Sequence, residues 1–191
     1  MARYLDAFIQ AKVRTQTYGL DLPEIELHES GRYITREFLE EFPHFIHKNT
    51  QIRAPSDLSA QCLSVNLMLR DIISARLKCP VYYTLGWIDD RTEKGLFRFG
   101  EEFIKAALAG EITTAGEINI HAWLTLPSME IIDPTIATTI ALENKIDDGI
   151  GRIFAAPADS TEGFSFHPML IGEDFLRKSG GLVDLEIWTM K

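Results

Sequence analysis

Nine residues in the middle of the chain, Ile118-Asn119-Ile120-His121-Ala122-Trp123-Leu124-Thr125-Leu126, restrict the fold more than any other stretch. Every even position is apolar, and the odd ones carry Asn119, His121, Trp123 and Thr125. Period two places alternate side chains on opposite faces of a strand. The chain must therefore build a sheet with one aliphatic face, and His121 and Trp123 belong to the other. From Ser59 or Gln61 to about Leu77, Leu63, Leu67, Leu69, Ile73 and Leu77 keep to a helical period over a length too great for a strand. Pro80 stops that helix.

Pro127-Ser128 turns the chain, and Met129 to Asp133 returns as a second strand. A loop of Pro127 and Ser128 alone would put Asp133 on the aliphatic face with Ala122. A three-residue loop, Pro127 to Met129, instead pairs Trp123 with Asp133 and makes Asp133 the diagonal neighbour of His121, roughly 7–8 Å away at the backbone. Elsewhere, Val81 to Ile88 reads as a strand, and Arg98 to Leu108 as a helix ended by Gly110. Thr35 reads as a helix start with Glu37 in the first turn, and Phe38, Leu39 and Phe42 share a face until Pro43 kinks or ends the helix. Arg53 to Asp57 reads as a loop. Strands are expected near Ile150–Ala155 and Leu182–Trp188, with a short helix at Glu173–Lys178 before Gly180-Gly181. Residues 1–33 are mostly left unassigned. Without a repeat or linker, residues 1–191 form a single domain.

At 191 residues the chain is long enough to bury about two-thirds of its unfolded surface. A net charge of -9 without a Lys/Arg cluster argues against nucleic acid and membrane surfaces as partners. Asp6, Gln10 and Lys12 interrupt any apolar leader, and no run is long enough for a membrane span. A cytoplasmic location is the default expectation, with Cys62 and Cys79 as free thiols.

Three residues suggest chemistry. Cys62 stands at a helix start, where unpaired N–H groups and the macrodipole favour a thiolate. His121 occupies mid-strand, and Asp133 the return strand. Such a set supplies a nucleophile, a base and a group that fixes the base. The plainer readings are a core cysteine, a hydrogen-bonded structural histidine and an Asp that caps the segment opened by Pro134. Trp123 is a candidate wall of the substrate site or a core residue. Gln51 and Gln61 are conceivable second oxyanion donors. His167 reads as a loop histidine, and His28, His44 and His47 lack spacing that suggests chemistry. No paired metal-ligand spacing and no phosphate loop is present, so no metal or cofactor is expected.

At these residues the chain resembles the transglutaminase-like superfamily of papain-fold cysteine enzymes. Ala60-Gln61-Cys62 before a long apolar helix is similar to its Gly-Gln-Cys block. His121-Ala122-Trp123 resembles the His-Ala-Trp strand, and Ile132-Asp133-Pro134-Thr135 the acid block. Gly86-Trp87 matches a Gly-aromatic step between them. The likeness covers residues 55–140 and departs at Ala60, where glycine is usual. It implies an α+β, papain-like core with the nucleophile helix packed on an antiparallel sheet, and Cys62, His121 and Asp133 as triad.

The expected activity is acyl transfer from an amide or peptide bond through a thioester, mildly favouring hydrolysis (protease, amidase or deamidase) over transamidation. The substrate would be a protein, peptide or small amide. The alternative is a catalytically silent interaction domain of the same fold.

Overall fold

The computed structural model describes residues 3–28, 31–49, 52–112 and 119–181. Six α-helices and five strands are present among them: α1 Tyr4–Thr17, α2 Arg36–Asn49, α3 Cys62–Leu77, β1 Tyr82–Asp89, α4 Glu101–Leu108, β2 His121–Thr125, β3 Glu130–Asp133, α5 Ile136–Glu143, β4 Phe154–Pro157, β5 Ser165–Ile171 and α6 Asp174–Lys178. The strands form one antiparallel sheet in the order β4-β3-β2-β1-β5. No described helix is long and apolar enough to cross a membrane.

The alternation of β2 sorts the interior into two cores. On the aliphatic side, Ala122 and Leu124 join Leu85, Ile132 and the α3 residues Val65, Leu69 and Ile73. On the other side Trp123 joins Tyr82, Ile131, Phe166 and Ile171, covered by Tyr4, Phe8 and Ala11 of α1. This second core contains a hydroxyl chain. Trp123 Nε1 donates to Tyr4 Oη at 2.7 Å, Tyr4 Oη lies 2.7 Å from Thr125 Oγ1, and Thr125 Oγ1 lies 2.9 Å from Thr84 Oγ1. Each buried polar atom of that chain thereby has a partner, as burial demands. Burial pushes the Tyr4 phenol well above its ordinary value, so the chain stays neutral.

α1 corrects the treatment of residues 1–33. Its buried residues Tyr4, Phe8, Ala11 and Thr15 follow helical spacing, but polar neighbours dilute the stripe. In α2, Thr35 Oγ1 accepts the Phe38 N–H at 3.1 Å as the capping pattern requires. Pro43 does not end this helix, which continues to Asn49. Burying Phe38, Phe42 and Ile46 contributes roughly 5–9 kcal/mol, against about 3 kcal/mol for a mid-helix proline. The loop at 53–57 runs into a 3₁₀ turn, Pro55–Leu58, with Asp57 accepting the N–H groups of Arg53 and Ala54.

β4 begins at Phe154, later than the strand expected from Ile150. His167 is a strand residue of β5 and not a loop histidine. The strand expected at 182–188 and residue Ile118 lie outside the described residues.

Gly86 pairs with His121 across β1–β2, and the β1–β5 register shifts between Leu85 and Gly86. A Cβ at Gly86 would lie 2.1 Å from the His167 carbonyl oxygen and 2.5 Å from Trp123 Cη2. Only glycine leaves room for the indole that lies beside the His121 strand position.

Candidate active site

The β2–β3 hairpin decides whether His121 and Asp133 can meet. Leu124 pairs with Ile132 and Thr125 with Ile131, leaving Pro127 to Met129 as the loop. Leu126 N–H donates to Glu130 O at 2.9 Å, and Met129 takes φ +60°. A three-residue loop with a left-handed third residue is a standard hairpin closure. This register puts the acid on the imidazole's face.

Asp133 is fully buried and uses its two oxygens differently. Oδ2 lies 2.5 Å from His121 Nε2. Oδ1 accepts from Thr135 N at 2.9 Å, Thr135 Oγ1 at 2.8 Å and Ile136 N at 3.1 Å, which caps the start of α5. The capping role and the pairing with histidine therefore coexist in one carboxylate.

His121 is buried, and its Nδ1 has no hydrogen-bond partner. Burial opposes the charged ring, but the Asp133 carboxylate and then Cys62 outweigh it and raise the imidazole to about 10. The ring is thus an imidazolium at neutral pH. Phe97 stacks on it with centroids 5.1 Å apart and planes 22° from parallel. Phe97 holds φ +59°, a left-handed conformation that is an outlier for a bulky residue. Reciprocal backbone bonds between Ile88 of β1 and Leu96, at 3.0 and 2.8 Å, fix the segment that carries it.

Cys62 is the first residue of α3, where a helix leaves its N–H groups without intrahelical partners. Its Sγ points to the Ile120 carbonyl oxygen at 3.7 Å. The thiol is near enough to act on the charge of His121, although the resting geometry makes no Sγ–Nδ1 hydrogen bond. Such contacts are often long before substrate is bound. Ala60, two residues before Cys62, has φ +54°, a conformation that glycine adopts without steric cost.

Asn66 is a positioning residue that sequence reasoning missed. Its Nδ2 donates to Cys62 O at 3.0 Å and Ala122 O at 2.9 Å, fastening the first turn of α3 to β2. Both partners are carbonyls, which fixes the orientation of the amide. The one available signal was an amide one turn after the cysteine. Phe97 carried none.

Trp123 is fully buried and spends its N–H on Tyr4, so it lies in the core under the site and not at a surface that substrate reaches. Gln61 Oε1 accepts from Ser64 Oγ at 3.0 Å. Gln51 lies outside the described residues. Among protein families, curated proteins and solved structures, no match to this chain is found.

Proposed function

We propose that this chain is a cysteine-dependent acyl-transfer enzyme of the transglutaminase-like, papain-fold kind, with Cys62 as nucleophile, His121 as acid and base, and Asp133 as the group that orients and charges the histidine. The observation that carries the reading is the buried His121–Asp133 pair at 2.5 Å with the Cys62 thiol beside the ring. A carboxylate behind a histidine fixes its tautomer and stabilises its protonated form, the role of the acid in triads generally.

The steps follow from that arrangement. The Cys62 thiolate attacks the amide carbon, and the carbonyl electron pair moves to oxygen. The Cys62 N–H at the helix start would donate to that oxyanion. The C–N bond then breaks, the amine leaves with the proton of His121, and a thioester remains. Water next attacks the thioester and gives a proton to the neutral imidazole. The acid product departs, and Sγ recovers its electron pair. An amine in place of water would give transamidation.

The test is the iodoacetamide rate at Cys62 against pH, with His121→Ala alongside. The expected profile is a fast plateau extending well below pH 8 that the substitution removes. A rate that only rises near the free-thiol value of about 8.5, indifferent to His121→Ala, would refute the triad and leave a silent interaction domain as the better account.

A further inference from the structure

An apolar cleft of about 650 Å³, within the size range of ligand sites, adjoins the segments that hold Asp133 and the ring stacked on His121. Its walls are Ile88, Leu96, Ile136, Ile140, Phe154 and Phe164. Two of these adjoin Asp133, and a third precedes the residue stacked on His121. Ile136 gives its N–H to Asp133 Oδ1, Phe154 pairs with Asp133 across β3–β4, and Leu96 precedes the Phe97 that stacks on His121. A ligand seated here is therefore held against the elements that position the acid and the base.

The rim adds charge that is mostly negative. Asp90, Glu143 and Glu162 border the cleft, with Arg152 as the single cation among the described residues. Arg152 is paired with Asp148, which is not part of the lining. Glu143 and Glu162 make no ion pair among the described residues. The Thr92 hydroxyl holds Asp90 below the ordinary carboxyl range. The walls favour an apolar body, and the unpaired acids favour a positive neighbour to it.

We propose that this cleft receives the substrate of the Cys62 site through an apolar group flanked by a cation, as in a peptide with a hydrophobic residue beside lysine or arginine. The assignment to substrate rests on the acyl-transfer reading, while the ligand chemistry rests on the cleft alone.

Octyltrimethylammonium and octanoate test it, since they share an apolar chain and differ in charge. The quaternary ammonium has no N–H and cannot be consumed as an acyl acceptor. Calorimetric titration of the full chain is expected to show at least tenfold tighter binding of the cation at low salt, with the advantage shrinking at about 0.5 M salt as rim charges are screened. Glu162→Gln, an exposed change, should cut the preference about threefold, and Ile140→Trp should fill the cleft and abolish binding of both probes.

Equal affinity for the two probes, or a preference that neither variant alters, would overturn the ligand assignment. Bound octyltrimethylammonium should also slow alkylation of Cys62 at least threefold. Binding without that protection would overturn the assignment to substrate. Because binding does not depend on thiol reactivity, a failed cleft and a failed triad give different results.

Discussion

Cys62 and Cys79 sit at opposite ends of the same helix, and both are free and buried. Cys62 opens α3, and Cys79 follows Lys78, the left-handed residue that closes it. The helix presents its electropositive end to the first and its electronegative end to the second. Their neighbours repeat the contrast. Cys62 adjoins an imidazolium, whereas burial and then the carboxylates of Glu130 and Glu26 push the Cys79 thiol up to about 11. Burial alone therefore does not distinguish the two thiols in this fold. The charges that the backbone brings to each end of the helix do so.

The sharpest way to break the comparison is a competitive alkylation at pH 7. Four pH units below its pKa, Cys79 has about one thiol in 10⁴ ionised. Cys62 should react at least about 10³-fold faster, and His121→Ala should reduce the ratio tenfold or more, read by mass spectrometry of the two peptides. A ratio unchanged by the substitution would mean that access and not charge distinguishes the two ends.

The next effect isolates the acid. Asp133→Asn keeps an acceptor oxygen for Thr135 and Ile136 but leaves a buried imidazole without its counter-charge. It should cost about 3 kcal/mol in urea unfolding. Asp133→Ala should cost about 1 kcal/mol more, because the α5 cap goes as well. Equal losses for the two variants would show that the cap carries no weight.

A smaller effect appears with pH. The folded His121 holds its proton to about 10 and the unfolded one to about 6.5. Its contribution to stability is therefore complete below about pH 6.5 and is lost as pH rises through 10. Between pH 6 and 8 the wild type should lose at least about 1 kcal/mol more than His121→Gln. Cys79 enters only above the free-thiol value of about 8.5 and does not confuse that window.

The smallest change should sharpen the reactive end. Ala60 pays for a left-handed backbone just before Cys62. Ala60→Gly should stabilise the fold by up to about 1 kcal/mol, seen as a rise in the urea midpoint. No rise would mean that the glycine's greater freedom when unfolded cancels the relief.

The middle of the molecule was legible because its sequence signals are local and mutually consistent. Alternation gave β2 and its two faces, the helical period gave α3, and the demand that His121 meet Asp133 gave the three-residue loop now seen at Pro127 to Met129. β5 was missed although Phe166, Pro168 and Leu170 alternate inward, because Pro168 argues against a strand. The proline is tolerated since β5 is an edge of the sheet. α1 was missed for another reason. Its buried stripe gains meaning only from the Trp123 side of the sheet that it covers, which is a tertiary fact. The same holds within the site: Cys62, His121 and Asp133 stood out by residue type and order, whereas Asn66 and Phe97 acquire roles only through contacts made from afar.

The divided carboxylate of Asp133 bears on how such a chain would decay over generations. One oxygen serves the imidazole and the other closes a helix, so selection for folding alone would still retain an acid there. The Cys62 sulfur meets the Ile120 carbonyl oxygen at 3.7 Å, a contact that serine or alanine could forgo at little expense to the fold. On the proposed reading, a descendant that abandoned turnover would thus lose Cys62 early and the aspartate late. In related chains, the identity of residue 62 would report on activity, while an aspartate at 133 would report mainly on architecture.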